Sequence, residues 1–153
     1  MSIGALNYLK NVLKRELKGM ATLRDEIFPI RSSDDIVKVR QMTREWALMQ
    51  TFSLVDQTKI VTAASELARN TLEHGRGGEV RIQALQEGPR RGLRLTFTDQ
   101  GPGIPDLAKA LQDGFTTGNG MGLGLSGSKR LMNDFDIQTE VGKGTTVMIA
   151  RWK

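Results

Sequence analysis

The sequence has no cysteine among its 153 residues. That excludes a disulfide framework and a thiolate metal site, and it points to a reducing, cytoplasmic setting. One histidine, His74, is too few for a histidine metal cluster or for a Ser-His-Asp triad with any redundancy. No apolar run approaches the ~18 residues of a membrane span. The N-terminus also lacks the charged start and unbroken apolar stretch of a signal peptide. Aromatics are only 5% of the chain, and no basic run is interleaved with them. The net charge of +5, much of it between Lys10 and Arg44, is therefore read as a solvated basic face, with neither nucleic acid nor membrane as partner. No G-x-x-x-x-G-K-[ST] segment occurs, which excludes a P-loop.

A chain of this length is one domain able to bury roughly 70% of its unfolded surface. Leu6, Leu9, Leu13, Leu17 and Met20 recur every three or four residues. That spacing predicts an amphipathic helix over residues 5–20 whose stripe needs a partner. We treat residues 1–25 as an N-terminal helical extension, with a linker over 20–27, and residues 27–153 as the main domain. Residues 27–32 read as a short edge strand that tolerates Pro29. A helix over 34–50 is capped by Ser33 or Asp34. A second, over 56–73, carries Ile60, Ala63, Ala64, Leu67, Ala68 and Leu72 inward and stops at Gly75, Gly77 and Gly78. Period-two alternation predicts strands at 79–87 and 92–99, joined by a hairpin loop. A short helix near 105–112 and a last helix near 123–135 precede strands at 136–141 and 145–152. The sum is an α+β fold: a mixed, mainly antiparallel sheet with helices on one face.

Three features carry chemistry. Glu66 and Asn70 lie one turn apart on the second long helix and so share a face. A carboxylate there can take a proton from a hydroxyl, and an amide oxygen suits Mg2+; an isolated Glu–Asn pair is also ordinary helix surface. Asp99 ends a strand and is followed by Gly101 and Gly103, which remove side chains where a flat ligand would approach; D-x-G-P-G is equally common turn chemistry. Finally, Gly118, Gly120, Gly122 and Gly124 alternate before a helix. A helix start offers free N–H groups to phosphate oxygens, and alternating glycine suits a lid. Gly122, Gly124 and Gly127 formally match G-x-G-x-x-G. The preceding strand and the acidic ribose ligand of a dinucleotide fold are missing.

Taken in order, Glu-x-x-x-Asn, Asp-x-Gly-x-Gly, the glycine loop and a Gly-x-Gly-Thr turn at Gly142–Thr145 resemble the GHKL ATPases, the family of histidine-kinase catalytic domains, gyrase and Hsp90. The resemblance covers about residues 28–153 and implies a two-layer α/β sandwich of the Bergerat type. SELARNTLEH, TDQGPGIPDLAKALQDGFTTGNGMGLGLSGSKRLMNDF and EVGKGTT are similar to the RsbT-type switch kinases, relatives of the anti-sigma serine kinases.

By that resemblance, ATP and Mg2+ are the cofactors. Asp99 accepts from the adenine amine, Gly101 and Gly103 let the backbone pass the base, and Thr145 bonds near the adenine edge. Asn70 ligates Mg2+, Glu66 is general base on a serine or threonine hydroxyl, and Gly120, Gly122 and Gly124 wrap the phosphates. His74 takes a structural or hydrogen-bonding part. The implied partners are a STAS-domain antagonist or stressosome scaffold, and a PP2C-type phosphatase or sigma factor. A second copy of the chain is a candidate to cover the N-terminal stripe. A nucleotide-gated binding module with little turnover is the alternative. Residues 114–128 depart from the anti-sigma relatives in having no Lys or Arg. The γ-phosphate charge then falls to Mg2+, a helix N-terminus, or a cation such as Arg69 or Lys129.

Overall fold

Val80, Ile82 and Ala84 on one strand and Leu93, Leu95 and Phe97 on the next alternate with polar residues, and all six are buried. They form the centre of a five-stranded sheet. The structure, a computed structural model, describes residues 2–17, 19–112 and 124–153. Its elements in chain order are α1 (Ile3–Leu17), β1 (Met20–Ile30), α2 (Ser33–Met49), α3 (Leu54–Glu73), β2 (Gly78–Glu87), β3 (Arg90–Asp99), α4 (Leu107–Ala110), α5 (Gly124–Leu131), β4 (Asp134–Glu140) and β5 (Gly144–Trp152). The strand order is β1-β2-β3-β5-β4. The sheet, expected to be mixed and mainly antiparallel, is antiparallel at all four pairings.

The apolar spacing of α3 places Ile60, Ala63, Ala64, Leu67 and Ala68 in the core. Its alanines favour helix and let the axis lie close to the sheet. Ser53 caps its first turn by accepting from the Asp56 N–H, so the helix begins two residues earlier than the sequence suggests. α2 packs beside it through Val39, Trp46 and Ala47. Its cap residue is Ser32, not Ser33 or Asp34, and the Ser32 side chain makes no capping bond. Asp35 instead accepts from the Arg31 N–H at 2.8 Å. Leu125 of α5 and Ala110 of α4 complete the core from the same side.

The linker expected over 20–27 is strand. β1 pairs along the whole of β2, from Met20↔Glu87 to Ile30↔Gly78, with a register shift between Thr22 and Arg24. That irregularity and the strand's edge position, where polar side chains face water, remove the alternation that marks β2 and β3. At the other end of the chain, α5 ends at Leu131 and β4 begins at Asp134, earlier than the expected 136.

α1 meets the opposite face of the sheet. Ile137 packs against the core, so its neighbour Gln138 points the other way, and its amide donates to the Gly4 carbonyl at 3.0 Å. Ile3, Leu6, Leu9 and Leu13 of α1 are all exposed, so the last three, members of the predicted stripe, are not covered by the main domain; Met20, expected as its last member, is instead a buried residue of β1. No helix among the described residues is long and apolar enough to cross a membrane.

Candidate functional site

The C-terminal turn of α3 and the C-terminal end of β3 meet through one glycine. The Asn70 carbonyl accepts from the N–H groups of His74 at 2.9 Å and Gly75 at 3.0 Å, ending the helix. Gly75 then lies directly against the Asp99 carboxyl: a Cβ at this position would collide with Asp99 Cγ and Oδ2. Only glycine lets the helix end sit this near the strand end, and the last turn of α3, which begins at Asn70, is thereby held against Asp99.

Asp99 is half-buried and organised by its own loop. The Gly101 N–H donates to its Oδ1 at 2.9 Å. Burial pushes its carboxyl above the ordinary value of 3.8, opposed by the backbone N–H groups of Gly101 and Thr145. A Cβ on Gly101 would come within 2.8 Å of the Gly75 backbone. Gly103 has φ +76°, in the left-handed region that glycine enters without strain, and it packs on the Glu140 carbonyl. Both glycines therefore serve close backbone packing around Asp99.

Thr145 stands opposite Asp99 on β5 and opposite Thr139 on β4. Its hydroxyl lies 2.9 Å from Thr139 Oγ1, and Thr139 Oγ1 also accepts from the Ile104 N–H at 2.8 Å. The loop after Asp99 is tied again where the Gly142 N–H donates to the Pro102 carbonyl at 2.8 Å. Thr139 was missed in the sequence, as was the packing role of Gly75, which reads only as a helix stop. The hairpin symmetry about Gly142 pairs positions 139 and 145 and was the available signal for Thr139.

Glu66 lies one turn before Asn70 on α3 and is buried, whereas Asn70 is partly exposed. The Glu66 carboxylate accepts from Arg69 Nη1 at 2.8 Å. Gly124 is the first residue of α5, with φ +68°, and α5 packs along α3. Gly120 and Gly122 lie outside the described residues. Lys129 is exposed on α5. The fold thus brings Asp99, Gly101, Gly103 and Thr145 together beside the C-terminal end of α3, the helix that bears Glu66 and Asn70.

The donor set is oxygen-based: two carboxylates, an amide and hydroxyls. No cluster of three or more His, Cys, Asp or Glu side chains that could hold a metal occurs among the described residues. A hard cation with one or two protein ligands suits this set if a substrate's phosphate oxygens complete its shell, as Mg2+ requires.

The family described as histidine kinase-, DNA gyrase B-, and HSP90-like ATPase is matched by residues 55–153. The serine/threonine-protein kinase RsbT of Bacillus subtilis is 43% identical over 118 residues, covering 77% of this chain and 89% of RsbT. The anti-sigma F factor of Geobacillus stearothermophilus is 35% identical over 101 residues, covering 61% of this chain and 68% of that factor. The crystal structure of the RsbU and RsbW domains of a Mycobacterium tuberculosis protein superposes with a TM-score of 0.59 at 21% identity, covering 84% of this chain and 31% of the larger one. A chain of the SiaB–SiaC complex of Pseudomonas aeruginosa gives 0.54 at 10% identity with both chains fully covered. At these identities the two structural likenesses concern the fold alone.

Proposed function

This chain belongs to the histidine kinase-, DNA gyrase B-, and HSP90-like ATPase family and is a protein serine/threonine kinase within it; from that premise we propose how its site acts and on what. The reading is of a partner-switching kinase. It transfers the γ-phosphoryl group of ATP, with Mg2+, to a serine or threonine of a STAS-domain antagonist or scaffold, then exchanges that partner for a PP2C-type phosphatase or a sigma factor. The setting is cytoplasmic. The kinase domain begins with β1, at Met20 and not at residue 27, and α1 (Ile3–Leu17) is the extension that docks a partner or a second copy.

The observation that carries the reading is the junction at Gly75, where the helix bearing Glu66 and Asn70 closes on Asp99. Asp99 accepts the adenine amine, which selects adenine over guanine because guanine presents a carbonyl there. Gly101 and Gly103 keep the adjoining backbone free of side chains, and Thr145 bonds at the adenine edge. Asn70 holds Mg2+, with Gly124 and the glycines Gly120 and Gly122 around the phosphates. When bound, Mg2+ neutralises charge on the phosphate oxygens. Glu66 receives the proton of the incoming hydroxyl as that oxygen attacks phosphorus and the bond to the ADP oxygen breaks. Positioning and charge stabilisation supply most of the rate.

Glu66→Gln tests the assignment. Phosphate transfer to the partner is expected to fall by about 10²-fold or more, while ATP binding is expected to be no weaker than that of the wild type. Transfer at the wild-type rate, followed with radiolabelled ATP, would remove Glu66 from the role of base. A nucleotide-gated binding module with little turnover needs the same pocket. The observation in its favour is that Arg69 engages the Glu66 carboxylate.

A further inference from the structure

The base assigned above already has a hydrogen-bond partner. Glu66 has a side chain only 10% exposed, and its Oε1 is bonded at 2.8 Å to Arg69, whose side chain is 42% exposed. A carboxylate oxygen that already accepts from a guanidinium has to exchange that hydrogen bond before it can accept from a substrate hydroxyl. Residues 114–128 contain no Lys or Arg, so that stretch of sequence supplies no side-chain cation for a terminal phosphate. A pair three residues apart on a helix with one half-exposed partner is weak and readily exchanged. A planar guanidinium bonds phosphate oxygens at least as well as a carboxylate.

We propose that Arg69 is a two-position residue: without nucleotide it holds Glu66 inactive, and with ATP it transfers to the γ-phosphate, which releases the base. The inference rests on the ATP-kinase reading of the site and adds a catalytic residue and a built-in gate to it. ADP has no γ-phosphate and leaves Arg69 on Glu66, so the product state is the closed one. In the ATP state the substrate hydroxyl oxygen attacks the γ-phosphorus, the bond to the β-phosphate bridging oxygen breaks, ADP leaves, and the hydroxyl proton passes to the freed Glu66. Arg69 offsets the charge on the transferring oxygens during that step, as guanidinium groups supplied by other routes do.

The experiment is isothermal calorimetry on the full chain with Mg2+, using ADP and the non-hydrolysable analogue AMP-PNP separately. The proteins are the wild type, Arg69→Ala, Arg69→Lys, Glu66→Gln and the double variant. Arg69→Ala is expected to leave ADP affinity within about twofold, which also reports an intact fold, and to weaken AMP-PNP about tenfold or more. Arg69→Lys is expected to recover part of that loss, because it keeps the charge and loses the fork. Glu66→Gln is expected to tighten AMP-PNP in the wild-type background by freeing Arg69, and to do so much less when Arg69 is already alanine. Normal ADP binding with an unchanged ADP-to-AMP-PNP ratio in Arg69→Ala would overturn this proposal alone. So would an equal effect of Glu66→Gln in both backgrounds, which is simple charge repulsion. Absence of binding of either nucleotide to the wild type would overturn the pocket reading and the gate with it.

Discussion

Asp99 is where a single residue sets a measurable property. Its carboxyl is raised by burial, with the Gly101 and Thr145 amides pulling the other way. A folded-state pKa above the ordinary 3.8 means that the folded protein holds this proton more tightly than the unfolded chain does. Between those two values the native state carries more bound protons, so stability contributed by this group falls as pH rises through the window. Adenine recognition has the opposite sign. The adenine amine donates to the ionised carboxylate, so nucleotide binding expels the proton and strengthens with rising pH. Calorimetric titrations of ADP across the acidic range are expected to show affinity declining at a higher pH than an ordinary aspartate would give. Asp99→Asn, which keeps an acceptor and cannot ionise, is expected to bind more weakly and to lose this pH dependence. A wild-type affinity that stays level down to pH 4 would contradict it.

Among the elements, the β4–β5 hairpin is a brace as well as a pair of strands. Thr139 Oγ1 takes the Ile104 N–H and meets the Thr145 hydroxyl, so one side chain ties the loop after Asp99 to the strand opposite it. Thr139→Val keeps the shape and removes the oxygen. A partly buried N–H then loses its partner, at a cost of about 1 kcal/mol, or roughly 2–4 °C in a domain of this size. Thermal unfolding followed by circular dichroism checks this, and nucleotide affinity is expected to drop with it because the loop beside Asp99 loosens. No change in either would make the contact incidental.

How far the sequence reveals such elements depends on how local their cause is. α3 was legible because Ile60, Ala63, Ala64, Leu67 and Ala68 write its buried face into the spacing. β2 and β3 were legible because both alternate cleanly. The order of Glu66, Asn70 and Asp99 along the chain is what marks them as a candidate set, although each alone is commonplace. The first part of β1 was not, because the register shift between Thr22 and Arg24 breaks the period and an edge strand need not be apolar. The packing of Gly75 against Asp99 and the Arg69–Glu66 pair were not legible either. The first depends on how α3 docks on the sheet. The second is a choice among several partners that a half-exposed arginine can reach.

At the scale of the molecule, the helical and strand parts of the N-terminal region behave differently. α1 leaves Ile3, Leu6, Leu9 and Leu13 exposed and touches the sheet at Gln138. The residues after it are built in, with Met20 buried and paired to Glu87. Two truncations separate these roles. A chain beginning at Gly19 is expected to keep its melting temperature within about 2 °C and its ADP affinity within about twofold, because it removes few native contacts. Its mass in solution, or its capture of a partner, is expected to change, since an uncovered apolar stripe gains by being buried against another surface. A chain beginning at Asp25 removes half of β1 and leaves part of β2 as a new unpaired edge, so it is expected to melt several degrees lower and to aggregate on heating. Light scattering and thermal melts on both chains decide the matter. If the cut at Gly19 destabilises the domain as much as the cut at Asp25, α1 is part of the fold and not a docking element.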